Sequence, residues 1–255
     1  MSGVRVSVVE AAEMLGVHPQ RVHQRIREGS LPAEKVGHQW VVEVNDVRRI
    51  KHHRGPGRPL SAKSAWDLLA VAASDQAAAE LSPPARSRAR SRLRRLLEQA
   101  SSEDIDDAAA QVVHALRNRG VRALFEASSR DLPDVRDDER VHLSGVSLAA
   151  SNMSAAGVAE GYVAADDLDD LVADYLLSPA RGSRANVILH VVDSDEAGPV
   201  ALGDLDEVVC SPLALAADLA EHDGVREKIE VIRVIADLRA AIVAREAHIS
   251  GADHG

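Results

Sequence analysis

The sequence predicts a mainly α-helical protein with small β elements, and three observations carry that expectation. Apolar residues recur at helical spacing over most of the 255 residues, while aromatics number only five, a composition suited to helices packed through small side chains. Short apolar runs at 31–36, 39–42, 141–146 and 186–192 are too brief for helices and supply the β component. Charge then divides the chain: residues 1–99 hold 17 Lys/Arg against 10 Asp/Glu, and residues 100–255 hold 13 against 30. A basic front and an acidic back suit a protein in which only the front meets a polyanion, although acidity kept for solubility explains the back equally well. The expected parts are a small basic domain at 1–53, a Gly/Pro and then basic helical linker at 54–100, and an acidic α+β regulatory or partner-binding domain at 101–255.

In the front part, Ser7 and Glu10 form a capping box that opens a helix with Val8, Ala11, Ala12 and Leu15 on one face, and Gly16 ends it. Pro19 suits a first helical turn, and Val22 and Ile26, four residues apart, give the second helix its buried side. Gln20, Arg21, His23, Gln24 and Arg27 occupy the other side, where they can donate to phosphates or read base edges. Gly29 closes that helix. Residues 31–36 and 39–42 flank Gly37 and His38 as two short strands around a tight turn, with Trp40 closing the small core. Asn45 or Asp46 then caps a third short helix carrying Val47 and Ile50 inward.

This arrangement over residues 4–50 resembles the excisionase and MerR-like winged helix-turn-helix DNA-binding superfamily. The resemblance implies a sequence-specific transcriptional regulator whose partner is double-stranded DNA, with the helix at 19–28 in the major groove and a wing at 35–39 on the backbone or minor groove. Arg21 and Gln24 are the expected base contacts. Gln20 and His23 share their face, while Arg25, Arg27, Lys35, His38, Arg54 and Arg58 are candidates for phosphate or the minor groove, and Gly37 and Gln39 complete the wing tip. His18 stands where many relatives place Ser or Thr, so the start of the second helix is expected to be less firmly capped. The alternative is a helix-turn-helix that serves protein contacts.

Residues 54–61 cannot continue a helix, and Gly57-Arg58-Pro59 resembles the centre of an AT-hook except that Pro56 replaces its first arginine. Minor-groove insertion and a plain basic linker both fit. A helix from Ser61 with Trp66, Leu69 and Ala73 on one side is broken at Ser82-Pro83-Pro84. Then Arg86, Arg88, Arg90, Arg92, Arg94 and Arg95 surround an apolar line of Leu93, Leu96 and Leu97, either a solvated face or a surface for phosphate. Residues 101–125 predict another helix stopped by Gly120, 141–146 a strand, 166–177 a helix, 186–192 a strand buried on both faces, and 212–220 and 224–247 two more helices. The last has an apolar face suited to the core or to a homodimer.

Residues 138–245, through His142-Leu143-Ser144-Gly145, the stretch from Gly161 to Pro179, the run Val187–Val192 and the segment from Ala216 to Arg226, resemble AbiEi-like type IV antitoxins and regulators. That resemblance implies an autoregulator that neutralises a nucleotidyltransferase-like toxin. No catalytic pattern competes: there is no P-loop or G-x-G-x-x-G, and Ser144 lacks a G-x-S-x-G elbow, so a non-enzyme without cofactors is expected. Asp166, Asp170 and Asp174 would form one solvated ridge on a helix, and His114, His142, His190 and His222 have no ligand spacing, so no metal is expected. Cys210 is the only cysteine, which rules out an intramolecular disulfide; no apolar run reaches the roughly 20 residues of a membrane span, and no signal peptide is evident. A cytoplasmic protein is expected. An excisionase-like recombination factor would fit the front but leave the back unexplained.

Overall fold

The computed structural model describes residues 5–15, 17–27, 31–37, 39–44, 46–47, 58–101, 104–153, 157–181, 184–198 and 205–252, with side chains as far as Arg245. They fall into two compact units, 1–58 and 59–255. The predicted third helix lies mostly outside the described residues, as do Gly16, Gly29, His38 and Arg54.

In the first unit, strand β1 (Arg5–Ser7) leads into helices α1 (Val8–Leu15) and α2 (Pro19–Arg27), followed by strands β2 (Glu34–Val36) and β3 (Gln39–Glu43). The sheet order is β1-β3-β2, all antiparallel, so β1 adds a strand to the expected two-stranded hairpin. Val8, Ala11, Ala12, Leu15, Val22, Leu31, Val42 and Val47 are buried together, and half-buried Trp40 and Ile26 close over them. This is the core that the helical spacing predicts.

The second unit begins with helices α3 (Ala62–Ala73), α4 (Asp75–Ala79), α5 (Pro83–Gln99) and α6 (Ile105–Leu116). These helices differ from a linker in one decisive respect. Trp66, Leu69, Leu93 and Leu96 are buried in the same core as Leu213, Leu219 and Ile235, and Trp66 Nε1 donates to the Arg119 carbonyl at 2.9 Å. An amphipathic helix that buries its stripe in a neighbouring core becomes part of that domain.

A five-stranded sheet follows, in the order β5-β6-β8-β4-β7, from β4 (Val121–Glu126), β5 (His142–Leu143), β6 (Ala159–Ala164), β7 (Ser178–Pro179) and β8 (Val187–Val192). Only the β6–β8 pair is parallel. Side chains alternate across it: Ala159, Val163, Val187 and Leu189 meet helices α7 (Leu132–Asp137) and α8 (Leu168–Asp174) on one face, while Tyr162 and Val192 join the larger helical core on the other. Among the described residues the helices α9 (Ser194–Ala197), α10 (Leu205–Val209) and α11 (Pro212–Ala220) follow, before the long C-terminal helix α12 (Val225–Ala252). In α12, Val231, Val234, Ile235 and Leu238 are buried, which gives this helix a core role.

Several boundaries depart from expectation. The helix predicted over 101–125 ends at Leu116, and 121–126 is strand β4, because pairing of Ala123 with Leu189 and Phe125 with Val187 overrides a helix-compatible composition. The strand expected over 141–146 shrinks to β5, since Gly145 takes a φ of +52° and starts a 3₁₀ turn over Gly145–Ser147. The helix expected over 166–177 is shortened to α8, preceded by a 3₁₀ turn over Ala165–Asp167 and followed by Leu176 at a φ of +51°.

Candidate nucleic-acid interface

The interface is built from α1 upward. The Ser7 N–H donates to Glu10 Oε2 at 2.7 Å and the Glu10 N–H to Ser7 Oγ at 3.3 Å, the reciprocal box that the sequence predicts. The Ser7 backbone N–H and then its hydroxyl hold the Glu10 carboxyl below its ordinary range. At the other end the Val17 N–H reaches back to the Ala12 carbonyl at 3.0 Å, and Val17 turns into the core. This fixes where α2 starts.

The start of α2 is capped after all, by a residue type outside the usual set. His18 Nδ1 accepts from the Gln20 N–H at 3.4 Å, and the Arg21 N–H bonds to the His18 carbonyl at 2.9 Å. A neutral imidazole has one acceptor nitrogen, so it can do what a Ser or Thr oxygen does, at longer range. Val22, fully buried, and half-buried Ile26 pin one side of α2. At 100° per residue, the direction opposite them runs through Gln20, Gln24 and Arg27, flanked by Arg21 and His23, and all five are exposed. The face is polar and presents donors and acceptors together. Arg21 Nη1 donates to Gln24 Oε1 at 3.3 Å, an i, i+3 bond that limits the freedom of both. Arg25 is half-buried, toward the core side of α2.

Val36 pairs with Gln39 and Lys35 with Trp40, so the chain reverses within two residues. Gly37 has a φ of +62°, the left-handed conformation that tight hairpin turns demand. Alternation along the strands puts Lys35 on the face of Trp40, and Gln39 on the face of Val36. The two tip candidates therefore leave the hairpin on opposite sides, and both are exposed, as is Gly37. Arg5 ion-pairs with Glu34 at 2.7 Å across the outer strands, a basic residue that pattern reading passed over. Arg58 is exposed at the unit boundary.

Residues 6–54 match a protein-family model described as a helix-turn-helix domain. No curated protein and no solved structure matches the chain. The match coincides with the unit just described and supports reading the N-terminal unit as a helix-turn-helix domain. Residues 138–245 have no such counterpart, and the AbiEi-like resemblance there gains no support.

The second unit contains a polar cluster that no sequence spacing announced. Tyr162 and His190 are paired across β6 and β8, and their rings stack with centroids 4.8 Å apart. Buried Arg119 donates to Tyr162 Oη at 2.8 Å, to Asp218 Oδ1 at 2.8 Å and to Glu221 Oε1 at 2.7 Å, and Tyr162 Oη donates to Asp218 Oδ1 at 2.8 Å. Buried Glu160 accepts from the Val146 N–H at 2.8 Å and lies 3.0 Å from His222 Nε2. Burial works against the Arg119 charge, and the field of Tyr162, Asp218 and Glu221 outweighs it and holds the guanidinium firmly protonated. Burial also pushes the Glu160 carboxyl up, but hydrogen bonds from His190 and His222 prevail and keep it well below the usual carboxylate range. His222 in turn is raised above its ordinary 6.5, the bond to Glu160 overcoming burial. These charges are paired with one another, although buried Asp218 Oδ2 has no hydrogen-bond partner among the described residues, and the cluster acts as a structural fastener between sheet and helices. Among the described residues no group of His, Cys, Asp or Glu has the geometry to hold a metal ion. The aspartates Asp166, Asp170 and Asp174 are exposed.

Proposed function

We propose that the chain is a sequence-specific DNA-binding transcriptional regulator, autoregulatory and homodimeric, that lays α2 in the major groove and sets the β2–β3 hairpin as a wing on the flanking backbone or minor groove. The observation that carries the proposal is the exposed face of Gln20, Arg21, His23, Gln24 and Arg27 opposite buried Val22, within residues that match a helix-turn-helix domain. On this proposal Arg21 and Gln24 read bases, while Arg25, Arg27, Lys35 and the tip at 35–39 hold the phosphates, with Arg54 and Arg58 following. The protein works in the cytoplasm, as a non-enzyme without a cofactor. Among the described residues no helix is long and apolar enough to cross a membrane.

A fluorescence-anisotropy titration tests this, with duplex from upstream of the gene against a shuffled duplex at low and near-physiological salt. Preference for the upstream duplex that survives salt supports the autoregulator, and equal, salt-erased binding to both removes it. Sedimentation at the same protein concentrations reads the dimer. The antitoxin alternative rests on resemblance alone and would need rescue of growth from a co-encoded nucleotidyltransferase.

A further inference from the structure

The second unit is acidic overall, with 20 Lys/Arg against 34 Asp/Glu over residues 59–255, yet α5 carries six arginines and a single acid, Glu98. Apart from Arg94, the arginines divide between two flanks of the helix. Its buried line runs through Ala85, Ala89, Leu93, Leu96 and Leu97. On one flank Arg86 donates to the carbonyls of Ala78, Ala79 and Leu81 at 2.8, 3.1 and 3.1 Å and so ends α4, while Arg90 lies 3.4 Å from Asp75. Those arginines have work within the fold. On the other flank Arg88, Arg92 and Arg95 stand at i, i+4 and i+7, Arg88 and Arg95 exposed and Arg92 half-buried, and none has an ion pair or side-chain hydrogen bond among the described residues.

Three like charges along one helix flank repel one another and weaken the helix, a cost that no ion pair among the described residues offsets. Several other arginines of the unit do find acids, Arg119 with Asp218, Arg140 with Asp138, Arg184 with Glu126 and Arg233 with Glu230, and among those that do not, Arg130, Arg181 and Arg226 stand far apart in the chain rather than in one stripe. The stripe spans about 10 Å of helix axis, the rise of about three base-pair steps at 3.4 Å each. Its members are all arginine, whose planar fork binds phosphate in a bidentate way that lysine cannot.

We infer that Arg88, Arg92 and Arg95 form a second DNA-backbone contact, so that the acidic unit grips the duplex through this one flank of α5 while the first unit reads its sequence. The inference rests on the DNA-binding function proposed above. The stripe adds affinity without sequence preference.

The test uses the full-length chain and a 30-bp duplex, with affinities measured from 50 to 200 mM salt for the parent, for the triple variant R88Q/R92Q/R95Q, and for a control, R130Q/R181Q/R226Q, which removes the same charge from other exposed positions of the unit. Glutamine keeps helix propensity, and circular dichroism verifies the fold. Each phosphate contact contributes about 0.9 to the slope of log K against log salt, so the stripe variant should lose about 2–3 from the slope. Across that range the parent then loses about 40-fold more affinity than the stripe variant, and the control follows the parent. An unchanged slope in the stripe variant while the parent binds overturns the inference and assigns the stripe to an acidic protein face. An equal fall in the control reduces it to net charge and overturns it too. A parent that fails to bind any duplex at 50 mM removes the DNA-binding function itself, and the stripe's role with it.

Discussion

At Gly145 the backbone φ is +52° and a Cβ would lie 2.1 Å from Glu160 Oε2, so the position accepts hydrogen alone. The carboxylate cannot step aside, because the Val146 N–H and His222 hold it. Gly145→Ala should therefore cost at least about 2 kcal/mol through left-handed strain and a broken buried network, measured as a fall in urea midpoint. At the proposed interface, Arg21→Ala should weaken operator binding by about 1–3 kcal/mol and relax sequence preference, whereas Lys35→Ala should weaken all duplexes alike. Unchanged affinity of Arg21→Ala for both operator and shuffled duplex would remove its role as a base contact. The face containing Arg21 was legible because Val22 and Ile26 set the helical phase and everything opposite them had to be exposed. The half-buried position of Arg25 was less so, since periodicity does not say how far the core extends around a helix. The Arg119–Tyr162–Asp218 and Glu160–His222 contacts were not legible at all: the paired residues stand 43 to 99 positions apart in the chain, and only the topology joins them.

Among the elements, helices with a clear cap and an apolar stripe emerged from the sequence close to their observed limits, α1, α3 and α11 above all. Strand β6 was hidden because its run contains Glu160, a carboxylate that pattern reading places in solvent but that His190 and His222 make tolerable inside. That pairing predicts a pH dependence. His222 is raised from 6.5, so its share of stability is complete below about that pH and is lost as pH rises through the raised value; Glu160 is lowered from 4.5, so its share is present above that pH and is lost only on strong acidification. The fastener between β6 and the end of α11 is thus fully formed between about 4.5 and 6.5 and loosens toward alkaline pH. Urea melts at pH 6 and pH 9 should show this loss in the parent and a flatter profile in His222→Gln. An equal pH slope in the two proteins would mean that His222 does not carry it.

For the whole molecule, the division at residue 58 gives each unit a hydrophobic core of its own. The sequence placed a boundary within a few residues of this one, from its Gly/Pro composition, but read the helices at 61–99 as a linker because arginine density masked how much leucine and alanine they bury. Two cores predict two unfolding steps: calorimetry should resolve a small transition for the N-terminal unit and a larger one for the rest, and a single two-state peak would contradict independent units. The scarcity of aromatic residues has an optical consequence. The chain's two tryptophans fall one to a unit, Trp40 half-buried against the small core and Trp66 fully buried in the large one. Replacing either with phenylalanine leaves a single indole emitter, so the fluorescence of each variant follows one unit alone, and a DNA-induced change in the Trp40 signal would report binding from within the unit that makes the contact, without any attached dye.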